Sequence, residues 1–542
     1  MTGSPPWRTP GWPGRAPQRV DAGRTDGARP VRRYDSPVTS TDTPTDPAPT
    51  APDPSGSGPD RRAVWLAVGA VVVALGLIGA LLWVGHSGQR DLVAAYTLVA
   101  PTDVAESGVV ARAVLNAGAE CPTVDAVGPA GDEQVAMTVR APAPTAAPVF
   151  DDITVCTAVL PVGLTEATVD GQTIPAAMPE QVDELAIFAD SGCRVDDKRI
   201  QDCNDPDGWP LAQIARNIAA AQPDLILDPG DYYYREMACP ADKEDLCGGT
   251  VAPVPGFPFD ESDAGWLQDA IEPMQAMFPV APMAMLRGNH EDCGRAGNGF
   301  FLFFDPRPGT EGTCAPVERD GELVRAEPQT TPSWSFDLPL RDDRTLRLAM
   351  VDSAYGSDKE LTPWVDRQRV SYQEADALTT PEPGVESWLV THRPLFALIS
   401  GNQVPEDDPL AEPWSSDGQM VAAYGLLGNY QMILASHNHY VQSVQIPGQP
   451  GALIMGNGGA LLDPSEPYSI PPTGPLAFAD GTPMVPGLEP YPTATHMWTR
   501  VQYGYALARP GDAPGSWTID QYEFDGTPLG VCQLADRTIE CV

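Results

Sequence analysis

The chain has 542 residues, of which 33 are basic and 73 are acidic, giving a formal net charge of −40. This length accommodates several domains. A surface with so much negative charge repels polyanions, which argues against DNA or RNA as a natural substrate and against a nuclease, and we expect no nucleic-acid partner.

The first 62 residues are rich in Pro, Thr, Ser, Gly and Asp and poor in aliphatic side chains. Such a composition buries too little apolar surface to offset the entropy of ordering, so we predict a disordered tail over residues 1–62. Residues 63–85 then run without a charged side chain and, as a helix, are long enough to cross a bilayer. We predict a transmembrane signal anchor there, since the competing interpretation, a cleavable signal peptide, has a shorter apolar core near the chain start.

The flanks of the apolar segment predict its orientation. The tail carries nine Arg, including Arg61 and Arg62 beside the segment, whereas the other flank begins with Arg90 alone. Because basic residues accumulate on the cytoplasmic side, we expect a single-pass protein of the cell membrane with a cytoplasmic N-terminus and an exported remainder. With nine Arg and seven Asp in the tail, the exported part carries a charge of −42.

All ten cysteines lie beyond the apolar segment, at positions 121, 156, 193, 203, 239, 247, 293, 314, 532 and 541. An even number of cysteines in an exported region is typical of disulfide bonds. Pairing between neighbours is compatible with the spacing but is not fixed by it; the candidate pairs are Cys193 with Cys203, Cys239 with Cys247, and Cys532 with Cys541. A zinc site made of cysteines is disfavoured, because the sequence has no CxxC pair.

Two patterns follow the membrane segment. Residues 92–180 contain short alternating or β-branched stretches broken by Gly and Pro, which predict a small all-β domain. A spacer or packing role is favoured there over the alternative, a ligand-binding module. From residue 184 onward the pattern is α/β, with a helix predicted over 211–221 between two strands and further helices over 264–278 and 418–430.

Five apolar runs in the α/β region end in residue types that bind metal ions. The runs LAIFAD, LILDPGD, MAMLRGNHE, WLVTHRP and ILASHNH predict buried strands. The candidate ligands at their ends are Asp190, Asp231, Asn289 with His290, His392, and His437 with His439. Because α/β domains bind ligands beyond the carboxyl ends of their strands, we expect these side chains to meet. Oxygen and imidazole ligands together indicate a metal-dependent hydrolase.

The order of ADSG, GDYYY, GNHE, THRP and HNH across about 186–460 resembles the calcineurin-like metallophosphoesterase superfamily. The first motif of that superfamily normally reads D-x-H, but Gly192 stands at the histidine position here. Purple acid phosphatases make the same exchange and use a tyrosine in G-D-x-x-Y instead, which corresponds to Tyr234. The resemblance implies a layered α/β fold over 184–542, a β-sandwich flanked by helices, preceded by the small all-β domain, the membrane helix and the disordered tail.

The resemblance also implies two metal ions, whose residue types suit Fe, Mn or Zn without distinguishing among them. The first ion would be held by Asp190, Asp231, Tyr234 and His439, and the second by Asp231, Asn289, His392 and His437. A hydroxide bridging both ions would attack a phosphate ester, and His290 would contact the phosphate and protonate the leaving oxygen. The alternative for Tyr234 is a core residue that packs without binding metal. We expect Glu291, next to the ligands, to orient one of them.

Three arginines follow the metal motifs directly, namely Arg194, Arg235 and Arg393. They are candidate phosphate contacts, although pairing with the abundant carboxylates is the favoured alternative. The sequence thus predicts a membrane-anchored, extracytoplasmic phosphoesterase that prefers monoesters. The alternatives are a phosphodiesterase with the same site, and a cell-envelope binding or scaffold protein that keeps the fold without activity.

Overall fold

The structure is a computed structural model that describes residues 91–255, 257, 260–309, 314, 316–324, 330–356, 364–398, 417–463 and 494–542. All of them lie in one unit, Gly76–Val542. The predicted tail (1–62) and membrane helix (63–85) lie outside the described residues. Within those residues, none of the helices combines the length and the apolar character that a membrane span requires.

Strands dominate the described part of the chain. In chain order they are β1 (Leu92–Val99), β2 (Val109–Asn116), β3 (Thr123–Gly128), β4 (Gly131–Ala136), β5 (Thr138–Val139), β6 (Ile153–Val159), β7 (Glu166–Val169), β8 (Gln172–Ile174), β9 (Leu185–Ile187), β10 (Leu225–Asp228), β11 (Met283–Met285), β12 (Val317–Arg319), β13 (Glu322–Val324), β14 (Trp334–Pro339), β15 (Thr345–Val351), β16 (Val385–Thr391), β17 (Met432–Ala435), β18 (Val441–Gln445), β19 (Gly451–Met455), β20 (His496–Arg500), β21 (Gly504–Pro510), β22 (Ser516–Glu523), β23 (Pro528–Ala535) and β24 (Thr538–Cys541). The helices are α1 (Leu211–Ala221), α2 (Glu244–Cys247), α3 (Asp263–Trp266), α4 (Glu272–Met274), α5 (Gly297–Phe303), α6 (Trp364–Leu378) and α7 (Asp417–Ala423). A π turn over Leu267–Ile271 joins α3 to α4, and 3₁₀ turns lie at Ala147–Val149 and Asn289–Glu291.

Two large sheets face each other. The larger has the strand order β24-β23-β22-β21-β9-β10-β11-β1-β2-β6-β5, and the smaller has the order β14-β15-β16-β17-β19-β18-β20. An apolar core that includes Leu227, Leu348 and Leu434 fills the space between them. Helices α1, α3, α4 and α5 cover the outer face of the larger sheet, and α6 and α7 cover that of the smaller. The predicted β-sandwich flanked by helices is confirmed.

The segment 92–180 consists of strands, as its sequence pattern indicates, but these strands do not form a domain of their own. Strand β1 pairs in parallel with β11, Leu98 opposite Met283, and β2, β6 and β5 extend the same large sheet. Strands β4-β3-β7-β8 form a separate sheet over this extension. The segment has one apolar core of its own, but Ala94, Tyr96 and Val114 also join the core under the helices of the larger sheet, so no domain boundary lies near residue 180. Alternation identifies a strand, but it does not identify the partner strand.

The helix predicted over 211–221 is confirmed as α1. It begins after Pro210 and buries Leu211, Ile214, Ala215 and Ile218, which are spaced along one helical face. It ends at Gln222, whose φ of 55° places it in the left-handed region. The other two predicted helices are shorter than expected, because the helical turns after 263 end at Met274 and α7 ends at Ala423.

Five disulfides pair all ten cysteines. The three candidate neighbour pairs are confirmed. The remaining pairs join Cys121 to Cys156 and Cys293 to Cys314. The bonds that begin at Cys193, Cys239 and Cys293 each close a loop just after a candidate metal motif.

Candidate metal centre

The candidate ligands meet where strands of both sheets end. Strands β9, β10 and β11 run in parallel in the larger sheet, and they lead to Asp190, Asp231 and Asn289. In the smaller sheet, the parallel strands β16 and β17 lead to His392 and to the segment with His437 and His439. Parallel strands place their carboxyl ends at one edge, which explains how residues about 250 positions apart meet.

The first ligand set surrounds the hydroxyl of Tyr234. This oxygen lies 3.0 Å from Asp190 Oδ1, 2.9 Å from Asp231 Oδ2 and 3.0 Å from His439 Nε2. The side chain is fully buried, whereas the hydroxyls of Tyr232 and Tyr233 bond to Leu286 O and Ser262 N, respectively. Of the three consecutive tyrosines, Tyr234 is therefore the one whose oxygen joins the ligand set.

The second set lies on the other side of Asp231. His392 Nε2 is 3.0 Å from Asn289 Oδ1 and 3.2 Å from Asp231 Oδ2. Ligand atoms of Asp231, His392 and His437 all lie within 4.8 Å of one another. Asp231 Oδ2 thus faces both sets, while its Oδ1 accepts a hydrogen bond of 2.8 Å from the backbone N–H of His290. This orientation suits a carboxylate shared by two metal ions.

Backbone carbonyls orient two of the imidazoles. His439 Nδ1 lies 2.7 Å from Leu461 O, and His392 Nδ1 lies 3.2 Å from Pro229 O. A carbonyl oxygen only accepts, so each Nδ1 carries the proton and each Nε2 offers its lone pair to the ligand sets. Burial lowers the pKa of His439 to about 4 and also lowers the pKa of His392. Both rings are therefore neutral at pH 7, the form that binds metals.

The carboxylates of Asp190 and Asp231 are buried beside each other and beside the phenol of Tyr234. Burial, followed by the neighbouring Asp231, raises the pKa of Asp190 well above its ordinary value. Burial alone would raise the pKa of Asp231, but His392 and His290 beside it lower that pKa well below its ordinary value. Burial and the same two carboxylates raise the pKa of Tyr234 well above its ordinary value. A bound cation would offset this crowding of oxygen atoms.

Three of the candidate ligands adopt a backbone conformation that is uncommon for residues with a Cβ. Asp190, Asp231 and His437 have φ values of 55°, 68° and 78°. Such residues cost free energy and persist where the surrounding structure determines them, often at functional sites. Candidate ligands from both sheets therefore have strained backbones. This agrees with a functional site whose geometry the surrounding fold determines.

Two buried carboxylates hold the loop that carries Asp231 and Tyr234. Glu291 accepts hydrogen bonds from the backbone N–H groups of Gly288, Asp231, Tyr232 and Tyr233. Asp269 accepts from the N–H groups of Cys193, Tyr234 and Arg235. The orienting role expected for Glu291 is supported by these contacts. Asp269 gave no sequence signal, because it lies on the π turn between α3 and α4, outside every motif.

A family match covers most of these residues. Residues 208–440 match the family of calcineurin-like phosphoesterases. This segment is a calcineurin-like phosphoesterase domain. The match contains the GDYYY, GNHE and THRP motifs and both histidines of HNH, whereas Asp190 lies upstream of it. No protein of curated function matches the chain.

Solved structures with a similar fold include phosphatases. A purple acid phosphatase from yellow lupin (Lupinus luteus) seeds is 12% identical, with 82% of this chain and 74% of that chain covered and a TM-score of 0.47. A structure of PhoD is also 12% identical, with 83% and 91% covered and a TM-score of 0.47. A dimetal phosphatase from Danio rerio is 11% identical, with 66% and 100% covered and a TM-score of 0.32.

The departure from D-x-H at Gly192 has a steric cause. A Cβ at this position would lie 2.3 Å from the backbone oxygen of Tyr232. No side chain fits there without moving the loop that carries Tyr234, so a histidine is excluded from this position. The tyrosine hydroxyl takes the place beside Asp190 and His439 instead.

Ser436, which directly precedes the HNH motif, has no positive φ. Its hydroxyl lies 2.9 Å from His392 Nδ1 and 3.4 Å from Pro229 O, so it joins the groups that orient this imidazole. The glycines that follow β19 lie close against the backbone of the site. A Cβ at Gly456 would lie 1.9 Å from Asn438 O and 3.0 Å from Asp190 Oδ2.

The three candidate phosphate-binding arginines bond to protein groups. Arg235 Nε donates to Asp269 Oδ1 at 2.6 Å, and its Nη1 donates to Thr250. Arg393 donates from Nε and Nη2 to the backbone oxygens of Ser353 and Gly356. Arg194 donates to Asp196 at 2.6 Å, with its guanidinium 5.9 Å from the Tyr234 ring centre. Arg235 and Arg194 thus pair with carboxylates, while Arg393 bonds to backbone carbonyls.

His290 lies beside the ligand sets but faces different partners. Its ring centre is 3.8 Å from that of Tyr234, and its Nδ1 lies 2.8 Å from Glu236 Oε1. Arg295 Nη2 lies 3.0 Å from its Nε2. Sequence reasoning missed both Glu236 and Arg295, because neither belongs to a motif.

The donor sets fit metal ions. Each set combines carboxylate oxygen with neutral imidazole nitrogen, adding a phenol oxygen in the first set and an amide oxygen in the second, and these donors suit Fe, Mn or Zn. The arrangement is that of a metal-dependent phosphoesterase domain, whose substrates are phosphate esters.

Proposed function

We propose that this protein is a membrane-anchored, extracytoplasmic phosphoesterase that binds two metal ions and prefers phosphate monoesters. The observation that carries the proposal is the position of Asp231. One of its oxygens, Oδ2, lies 2.9 Å from the hydroxyl of Tyr234 and 3.2 Å from His392 Nε2, which belong to different ligand sets. A carboxylate oriented in this way favours two neighbouring cations over one.

The two sets would hold the cations as the sequence motifs suggest. Asp190, Tyr234 and His439 would complete the first site, and Asn289, His392 and His437 the second, with Asp231 shared. Bound metal ions would supply a nucleophile at neutral pH and neutralise charge on the phosphoryl oxygens. The phenol of Tyr234 supports an acid-phosphatase-like site, and the preference for monoesters rests on the same tyrosine motif.

The chain's own residues would position the substrate and move one proton. His290 is buried beside the ligand sets without belonging to either, so its imidazole would contact the phosphate and, in its protonated form, would protonate the leaving oxygen. The backbone N–H of His290 bonds to Asp231 Oδ1, which fixes the distance between the proton donor and the shared carboxylate. Positioning of this kind is a main source of catalysis in phosphoryl transfer.

Anchoring and location rest on the sequence. The uncharged segment 63–85 and the arginines before it support a membrane span with a cytoplasmic N-terminus. Five disulfides beyond it agree with an oxidising compartment.

Hydrolysis by the purified full-length chain tests the catalytic proposal. A p-nitrophenyl monoester and a bis(p-nitrophenyl) diester are compared at equal concentration, before and after removal and return of metal ions. We expect faster hydrolysis of the monoester, loss of both activities on chelation, and recovery with Fe, Mn or Zn. Inactivity toward both esters after reloading would refute the proposed function, and faster diester hydrolysis would reverse the preference.

The three lysines offer a test of location. Lys198, Lys243 and Lys359 all lie beyond the apolar segment, and the first two are exposed. A membrane-impermeant amine reagent applied to intact cells should therefore label Lys198 and Lys243. Labelling that requires permeabilised cells would contradict the proposed orientation.

A further inference from the structure

Three side chains form a cluster beside the metal centre, and two of them, Glu236 and Arg295, belong to no motif. They are Glu236, His290 and Arg295. Glu236 lies two residues after Tyr234, and Arg295 lies five residues after His290. Arg295 bonds through Nε and Nη2 to Glu236 Oε1, and its Nη2 also lies 3.0 Å from His290 Nε2.

The contacts of His290 fix its orientation. Nδ1 lies 2.8 Å from Glu236 Oε1, but the two atoms are not aligned for a hydrogen bond, so this is a polar contact only. A guanidinium only donates, so His290 Nε2 accepts from Arg295 Nη2 at 3.0 Å, and the proton of the neutral ring belongs on Nδ1. One carboxylate thus holds both the imidazole and the guanidinium.

The guanidinium of Arg295 has N–H groups that are available to bind a ligand. Its bonds use Nε and Nη2, and among the described residues Nη1 has no protein partner. The side chain is 26% exposed, compared with 6% for His290, so the guanidinium lies at the open side of the cluster. A partly exposed guanidinium with free N–H groups next to the metal centre is well suited to bind a phosphate oxygen.

Arg235 provides a contrast with Arg295. The side chain of Arg235 is 6% exposed, and its Nε and Nη1 bond to Asp269 and Thr250. The buried ion pair of Arg235 with Asp269 supports the loop that carries Tyr234. Arg295 is the more accessible guanidinium, and it contacts His290, which Arg235 is not observed to do.

We propose that Arg295 binds the phosphate group of the substrate together with His290, and that Glu236 is a positioning residue that holds both side chains. This inference rests on the proposed phosphoesterase function, and it adds a binding group that the family motifs do not supply. The guanidinium of Arg295 would meet a phosphoryl group that bears two negative charges in a monoester. Its positive charge therefore supports the preference for monoesters.

Inorganic phosphate is the probe for this proposal. Its affinity for the metal-loaded full-length chain is measured by calorimetry and, independently, as competitive inhibition of monoester hydrolysis. Charge-assisted hydrogen bonds imply that Arg295→Ala weakens phosphate binding and raises KM by about 10- to 100-fold, with a smaller change in kcat. Arg295→Lys should lie between this variant and the wild type, and free guanidinium ion should partly restore Arg295→Ala.

A matched control separates binding from local structure. Arg307 is similarly exposed, at 22%, and pairs with Asp305, but it has no contact with His290. Arg307→Ala should change phosphate affinity less than twofold and should not respond to guanidinium. Metal content measured on each sample should match the wild type.

The role of Glu236 is tested by a cycle of variants. Glu236→Gln should weaken phosphate binding by about 3- to 10-fold. Because Glu236 acts through Arg295, the double variant Glu236→Gln with Arg295→Ala should bind phosphate as tightly as Arg295→Ala alone. Tighter phosphate binding in Glu236→Gln would overturn the positioning role. Unchanged phosphate affinity in Arg295→Ala, with an active wild type, would overturn the inference alone. A wild type that neither binds phosphate nor hydrolyses esters would refute the proposed function as well.

Discussion

The ligands carried by the larger sheet are held differently from those carried by the smaller sheet. Asp190, Asp231 and Asn289 lie in loops after short strands, and the loops following them are closed by the disulfides that begin at Cys193, Cys239 and Cys293. Buried carboxylates gather the backbone N–H groups of these loops. Side chains distant in sequence therefore determine where this half of the site lies.

The smaller sheet holds its ligands with fewer supports. His392 directly follows β16, and its ring is oriented by the backbone oxygen of Pro229. His439 depends on Leu461 O, and its N–H donates to Asp463 at 3.1 Å. The sequence has no cysteine between 315 and 531. We therefore expect substitutions of supporting residues to lower metal affinity and stability more beside the larger sheet than beside the smaller sheet.

The largest effect is expected where the two halves meet. Asp231→Asn removes the charge of the shared carboxylate, so we expect hydrolysis to fall by about 10³-fold or more while the fold is retained. Asp228→Asn is the matched control, because Asp228 is buried at the end of β10 near Asp231 and accepts a hydrogen bond from the backbone N–H of Gly230. Activity near the wild-type value in Asp231→Asn would show that hydrolysis does not depend on a shared carboxylate.

The supporting carboxylates give the next test. Glu291→Gln places an NH₂ group among four backbone N–H donors, so we expect a loss of about 3 kcal/mol in the free energy of unfolding and metal binding weaker by about 10- to 100-fold. Asp463→Asn, which disturbs a single backbone N–H, should have a smaller effect on both. Thermal unfolding and metal titration measure these quantities, and equal effects in the two variants would remove the proposed difference between the halves.

The disulfides beside the larger-sheet ligands are expected to support the site as well as the fold. Replacing Cys293 and Cys314 by Ser opens a loop that starts three residues after His290, and replacing Cys532 and Cys541 opens the β23–β24 hairpin. Loop-closure entropy predicts a loss of about 3 kcal/mol in either case. Only the first replacement should also lower kcat of the folded enzyme. A similar kcat in both variants would show that this disulfide does not support the site.

The smallest effect is expected at Ser436. The change Ser436→Gly removes the hydroxyl beside His392 Nδ1 but leaves Pro229 O as its acceptor. We expect metal affinity to fall less than about fivefold, the equivalent of about 1 kcal/mol for one neutral hydrogen bond. A loss of 100-fold would mean that this half relies on side-chain support as strongly as the other.

The ligands were predictable because each follows an apolar run that forms a buried strand. Asp190, Asp231 and His392 could be placed at one edge from the strand pattern, and Tyr234 from the motif resemblance. The residues that support these ligands could not be predicted from the sequence. Asp269, Glu236 and Arg295 act through contacts that depend on tertiary structure. The position of the 92–180 segment was missed for a similar reason, since the pairing of β1 with β11 joins residues more than 180 positions apart.

Metal analysis of the purified full-length chain measures occupancy of both proposed sites at once. We expect close to two metal ions per chain in the wild type and a loss of bound metal in Asp231→Asn, because one carboxylate serves both sites. A wild-type chain that binds no metal after reloading, or an Asp231→Asn variant that retains both ions at wild-type affinity, would contradict the two-metal proposal.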